Sequence, residues 1–102
     1  MTDRELLEFA AKAAGYDVRS DGEGGLTITV KRGLCSGWDP LMDDGDALRL
    51  AVKLHMQVSI TTESCRAETL PVLGVMVNGN DELAATRRAI VMAAANAFVD
   101  KL

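Results

Sequence analysis

Four aspartates lie within eight residues near the middle of the chain, and carboxylates so close together could bind a divalent cation. They are Asp39, Asp43, Asp44 and Asp46, with Gly45 between the last two. Oxygen-rich clusters suit calcium or magnesium, and a metal held there could serve a small divalent-metal-dependent enzyme. However, the spacing does not match the alternating acids and distal glutamate of the calcium loop. Because acids also favour the first turn of a helix, we interpret the cluster as a helix start. We keep the metal site as an alternative and predict no cofactor.

The soft metal ligands of the chain are scattered. Cys35, His55 and Cys65 could in principle hold zinc with a water, but no two of them form the short pair that closes a local chelate. The two cysteines are expected to be free thiols, since a chain of this length and composition needs no disulfide framework. Nucleophilic use of a cysteine would require His55 nearby in space.

Four basic residues could gather into a patch for phosphate: Arg49 and Lys53 on one predicted helix, and Arg87 and Arg88 on another. The net charge of −4 opposes non-specific attraction to nucleic acid, and the four aromatic residues are too few for stacking platforms. A nucleic-acid-associated regulator is therefore the second hypothesis rather than the first.

The elements that position these residues follow from periodicity and capping. A capping box at Thr2 and Glu5 begins a first helix over 3–14, the acid cluster begins a second, and a turn ending at Asp81 caps a third over about 82–100. Alternating or apolar runs predict four strands, at 16–19, 26–30, 56–61 and 70–77. The predicted order is α-β-β-α-β-β-α, an α+β fold with three helices on a four-stranded, mostly antiparallel sheet.

The segment from Lys31 to Met42 has no periodicity and is predicted to be a loop anchored by Trp38. An aromatic ring beside several acids could also contact a partner protein. Trp38, Asp39 and Pro40 are the residues of this contact hypothesis.

Composition predicts one domain over residues 1–102. The chain is 48% hydrophobic and 25% charged, which is ordinary for a globular protein. Neither a signal peptide nor a membrane span is recognisable, so we expect a cytoplasmic protein. The last helix is apolar over most of its circumference, which indicates either deep burial or a homodimer formed through that helix.

The chain resembles the phage ABA sandwich domain, a family of small bacteriophage and prophage proteins. The likeness covers about half of the chain and rests on the segments 2–7 and 10–16, on Trp38-Asp39-Pro40-Leu41 followed by 43–54, and on 84–90. Members often have asparagine where this chain has Asp39. The resemblance implies an α-β-α sandwich in a bacterial host cell and implies no activity.

We therefore expect a non-enzymatic accessory protein of phage or prophage type that acts by binding a protein of the host or of the phage. The alternatives are the nucleic-acid-associated regulator and, third, the metal-dependent enzyme.

Overall fold

The computed structural model describes residues 2–20, 22, 25–29, 35–60, 65–69, 73–77 and 81–100. They form an α+β structure with three helices and six strands in the order α-β-β-β-α-β-β-β-α. Most of the connection between the first two predicted strands lies outside the described residues, and so do residues 70–72 of the predicted last strand and residues 78–80 of the turn that follows it.

Helix α1 spans Asp3–Ala13 and begins at the predicted capping box. The Glu5 N–H donates to the Thr2 hydroxyl at 3.2 Å, and the Glu5 carboxylate accepts in return from the Thr2 N–H at 3.4 Å. At the other end, Gly15 has a φ of +78°. It donates to the Lys12 carbonyl while Tyr16 donates to the Ala11 carbonyl. This Schellman motif stops the helix where the sequence predicts.

The first sheet contains β1 (Val18–Ser20), β2 (Leu26–Thr29) and β3 (Cys35–Trp38), paired antiparallel in that order. Val18 lies opposite Ile28, and Leu26 lies opposite Trp38. Strand β3 falls inside the segment predicted as a loop, so that prediction is wrong for 35–38. Its serine and glycine give weak strand propensity, and pairing with the alternating strand β2 overrides it.

Helix α2 spans Asp44–Lys53, with Asp43 as its N-cap. Its end repeats the Schellman geometry of α1, because His55 donates to the Val52 carbonyl and Met56 donates to the Ala51 carbonyl. Here the left-handed position holds a histidine, with a φ of +53°. The chain then enters the second sheet.

The second sheet contains β4 (Gln57–Ile60), β5 (Cys65–Thr69) and β6 (Leu73–Val77), again antiparallel in sequence order. Val58 lies opposite Ala67, which lies opposite Val75. The predicted α+β class is confirmed, but the predicted four-stranded sheet is not, since the described residues form two three-stranded sheets. Helix α3 (Glu82–Asp100) has the predicted bounds and packs on β5, β6, α1 and α2.

The core lies between the helices and the sheets. Buried side chains from α1, β2, β3, α2 and α3 form one cluster, and most of its residues are alanines. Its members include Leu6, Ala10, Ile28, Trp38, Leu50, Ala89 and Val91. Because small residues line α1 and α3, the two helices approach closely along their length.

Candidate functional site

The aspartate cluster occupies the connection between β3 and α2. A tight turn follows Trp38, in which the N–H groups of Met42 and Asp43 both donate to the Asp39 carbonyl, at 3.1 and 2.8 Å. The turn brings Asp39 beside the first turn of α2. The position of the cluster thus agrees with a helix start.

Two of the four carboxylates cap backbone groups. Asp43 Oδ2 accepts from the Asp46 N–H at 2.8 Å, which is the N-cap bond of α2. Asp46 Oδ2 accepts from the Asp39 N–H at 3.0 Å, seven residues earlier in the chain. The Asp46 side chain is only 14% exposed, and its hydrogen bond joins the turn to the first turn of α2.

Two arginines pair with three of the carboxylates. Arg49 donates to Asp46 Oδ1 at 2.7 Å and lies 3.8 Å from Asp43 Oδ2. The hydrogen bond to Asp46 raises the pKa of Arg49 above its ordinary value, and the negative charges of Asp46 and Asp43 act in the same direction. Arg87 of α3 donates to Asp44 Oδ1 at 2.5 Å.

The arrangement of the acids gives caps and ion pairs rather than a shared ligand set. Among the residues that the structure describes, no group of three or more histidines, cysteines or acidic residues is arranged to hold a metal ion. The cysteines begin strands of different sheets, since Cys35 starts β3 and Cys65 starts β5. His55 is exposed at the end of α2.

A cleft of about 460 Å³ borders the same turn, between the N-terminus of α1, the first sheet and the N-terminus of α2. Asp3, Asp39, Asp43 and Asp46 line it together with Trp38 and Arg4. Most of these carboxylates already have an arginine partner, because Arg88 pairs with Asp3 at 3.1 Å and Arg49 pairs with Asp43 and Asp46. Two arginines therefore offset part of the negative charge of the cleft.

The basic residues of the nucleic-acid hypothesis are engaged in the same way. Arg87 is largely buried, with a side-chain exposure of 14%, and Arg49 and Arg88 each pair with an aspartate. Lys53 lies exposed near the end of α2. Since three of the four cations face carboxylates, the structure does not gather them into a positive surface.

The hypothesis that Trp38, Asp39 and Pro40 contact a partner requires all three side chains to be exposed, and two of them are buried. Trp38 is 4% exposed and packs edge-on against Tyr16, with ring centroids 5.9 Å apart. Pro40 is fully buried as well, and only Asp39 is exposed. The tryptophan anchors the turn in the core, so a contact surface here would consist of neighbouring exposed side chains.

An exposed apolar surface lies elsewhere, where α2 and α3 meet above β4, and the sequence reasoning missed it. Leu48, Val52 and Leu83 are 64%, 65% and 62% exposed. Leu48 and Leu83 flank an open groove of about 400 Å³ whose other apolar lining residues are Ala47, Ala51, Val58 and Ile90. We call Leu48, Val52, Leu83 and this groove the α2–α3 surface.

A sequence signal for this surface existed. The apolar residues of α2 include Leu48 and Val52, but its buried positions are Ala47, Leu50 and Ala51. Leu48 and Val52 are four residues apart, and therefore neighbours on a second apolar stripe. The apolar arc on α2 is thus wider than the part of it that packs in the core.

Helix α3 is apolar on most sides because the chain itself covers those sides. Its buried residues run from Ala85 to Ala95, and they face α1, α2 and the second sheet. This burial accounts for the pattern that suggested a homodimer through α3.

No protein-family model, curated protein or solved structure significantly matches this chain.

Within the described residues, no helix combines the length and the apolar character needed to cross a membrane.

Proposed function

We propose that this chain is a non-enzymatic accessory protein that acts by binding another protein through the α2–α3 surface. The partner is a protein of the host or of the phage, the chain itself included. The single observation that carries the proposal is the exposure of Leu48, Val52 and Leu83 beside a preformed apolar groove.

The energetic reason is the hydrophobic effect. Each of the three side chains leaves about two thirds of its surface in water, although burial of apolar area is favourable by about 25 cal/mol per Å². Scattered single exposures are normal, but contiguous apolar patches with a polar border mark interaction sites. Here Leu48 and Leu83 line the same groove, and Val52 lies one helical turn from Leu48.

The groove also has the form of a recognition site. Two helices form its sides, a strand residue, Val58, contributes to its base, and Asp44 and Arg87 provide a polar pair among its lining residues. A concave apolar site with a few polar groups is the usual form of a binding pocket, and a groove between helices accepts the apolar ridge of a further helix.

The acids of the β3–α2 turn support the non-enzymatic part of the proposal. Asp43 and Asp46 cap backbone groups, and Asp44 pairs with Arg87. These three acids therefore have structural roles. The phage-type origin, a cytoplasmic location in the host cell and an α-β-α layering of the fold are also part of the proposal, and they rest on the resemblance of the segments around Trp38 and Asp43.

The test compares the proteins retained by immobilised wild type with those retained by two aspartate variants. Leu48→Asp puts a charge on the α2–α3 surface. Val99→Asp is the matched control, because Val99 is a partly exposed aliphatic residue at the far end of α3. We expect at least one protein, from the host or the chain itself, to bind wild type and Val99→Asp and to lose binding to Leu48→Asp.

Each retained protein is then purified and titrated against the three baits by calorimetry. A loss of about 30-fold in affinity for Leu48→Asp is the expected size for a central apolar contact. If every partner bound the two variants equally, the proposal would be wrong. Equal melting temperatures of the three baits would show that the difference does not come from unfolding.

A further inference from the structure

We infer that the occupant of the α2–α3 surface is a second copy of this chain, with the two α2 helices antiparallel across a twofold axis. The inference rests on the proposed function and names the partner of the same surface. In this arrangement Leu48 and Val52 of one copy enter the groove of the other, and the reverse contact follows by symmetry.

The surface has the shape that self-association requires. A twofold contact uses the same patch on both copies, so the patch must carry both a projection and a depression. Leu48 and Val52 form a projecting ridge on α2, since they lie four residues apart and point outward. The groove beside the ridge has small residues, Ala47 and Ala51, along its α2 side. Each ridge can therefore enter the groove of the other copy.

The charges along α2 favour the antiparallel direction. Its N-terminal end carries Asp43, Asp44 and Asp46 together with Asp39 of the preceding turn, and two arginines, Arg49 and Arg87, offset only part of that charge. Its C-terminal end carries Lys53, which has no ion-pair partner among the described residues and is exposed.

An antiparallel pair places each Lys53 beside the acidic end of the other copy, and it also opposes the two helix dipoles favourably. A parallel pair would bring the two acidic ends together. The charge pattern is therefore complementary to itself in one direction only.

A specific dimer would have to bury an interface of ordinary size at the α2–α3 surface. An interface of standard size buries about 800 Å² on each partner. The chain exposes 6382 Å² in total, so such an interface would take about an eighth of it. The groove, the outer face of α2 and the first turn of α3 would have to supply this area.

The experiment is sedimentation equilibrium of the purified full chain from 1 to 300 μM at low salt. We expect a reversible monomer–dimer equilibrium for wild type. Leu48→Asp and Val52→Asp should each raise the dimer dissociation constant by about 30-fold, and Val99→Asp should leave it unchanged. A wild type that stays monomeric at 300 μM, or a dimer indifferent to both ridge variants, would refute the inference.

A second measurement tests the direction of the helices. Lys53→Glu should raise the dissociation constant by about five-fold, and Lys53→Arg should keep it. Added salt should weaken the wild-type dimer and strengthen the Lys53→Glu dimer, because the variant replaces an attraction by a repulsion and salt screens both. A Lys53→Glu dimer with wild-type affinity and salt response would exclude the antiparallel arrangement.

These results separate the two proposals. If wild type is monomeric but a different protein distinguishes Leu48→Asp from Val99→Asp, the self-association fails and the proposed function stands. If a dimer forms that ignores both Leu48→Asp and Val52→Asp, and no other protein distinguishes the baits, both fail.

Discussion

The two halves of the chain follow one plan, and they differ in what they expose. Each half is a helix followed by a three-stranded antiparallel sheet in sequence order: α1 with β1 to β3, and α2 with β4 to β6. Each helix begins at a side-chain N-cap, Thr2 or Asp43, and ends in a Schellman motif with Gly15 or His55 in the left-handed position.

Helix α3 connects the halves in matching ways. Asp3 and Asp44 are the first helical residues of α1 and α2, and consecutive arginines of α3 pair with them: Arg88 with Asp3, and Arg87 with Asp44. A carboxylate at this position stabilises the helix through its dipole, and the arginine then balances the charge.

The two halves differ in the residues that their first helices expose on their outer faces. On α1 the most exposed residues are polar or charged, including Arg4, Glu5 and Lys12. On α2 two of the most exposed residues are Leu48 and Val52. Because the α1 half packs its sheet without exposed aliphatic residues on its helix, the fold does not need them on α2. This difference between the two helices supports the proposal that Leu48 and Val52 serve binding rather than folding.

The largest expected effect tests the two faces of α2 against each other. Leu50 is fully buried, so Leu50→Ala should lower the free energy of unfolding by about 3 kcal/mol, through lost transfer energy and the cavity left behind. Leu48→Ala removes the same atoms from an exposed site and should change it by less than about 0.5 kcal/mol. Urea unfolding followed by circular dichroism measures both. A large loss of stability in Leu48→Ala would show that Leu48 contributes to the core, contrary to this prediction.

The second prediction compares the two arginines of α3. Arg87 Nε also donates to the Leu41 carbonyl at 2.8 Å, and its side chain is largely buried. Arg87→Met keeps the apolar stem but leaves that carbonyl and Asp44 without the guanidinium, and should cost about 2 kcal/mol of stability. Arg88 is 42% exposed and its partner Asp3 is 63% exposed, so Arg88→Met should cost less than about 0.5 kcal/mol. Equal losses in the two variants would contradict the unequal burial of the pairs.

The sequence predicted the helices well because their signals are local. The capping box of Thr2 and Glu5, the acids before Ala47 and the cap at Asp81 each satisfy N–H groups within a few residues. Strands β3 and β5 were missed because their stability comes from partners elsewhere in the chain. For β5 a signal existed, since Arg66 and Glu68 alternate with smaller residues, whereas Cys35-Ser36-Gly37-Trp38 has no such alternation.

The roles of candidate site residues were harder to predict for the same reason. Reading the aspartates as a helix start needed only the next few residues, and the structure agrees with it. The ion pair between Arg87 and Asp44 joins residues 43 positions apart, and no local pattern contains it. Exposure of Leu48 depends on where α3 crosses α2, so a stripe of apolar residues on one helix could not show which of them face water.

The third prediction compares the third helical residues of α1 and α2. Asp46 holds the Asp39 N–H and the Arg49 guanidinium and is mostly buried, so Asp46→Ala should lower stability by about 1.5 kcal/mol. Glu5 makes a longer bond of 3.4 Å to the Thr2 N–H, and Glu5→Ala should cost about 0.3 kcal/mol. Thermal unfolding of both variants at neutral pH measures the difference. Similar shifts in the two melting temperatures would show that the bond across seven residues adds nothing to an ordinary cap.

The smallest expected effect tests the two helix ends. His55 is exposed and has a φ of +53°, a conformation that L-residues adopt at a cost of about 1 kcal/mol and glycine adopts freely. His55→Gly should therefore stabilise the chain by about 0.5 kcal/mol, after the greater freedom of glycine in the unfolded chain is subtracted.

Gly15→Ala makes the opposite change at the equivalent position of α1. It should destabilise the chain by about 1 kcal/mol, although open space surrounds the added methyl group. Unfolding in urea resolves changes of opposite sign. Destabilisation by both variants would mean that the His55 side chain contributes more than its backbone strain costs.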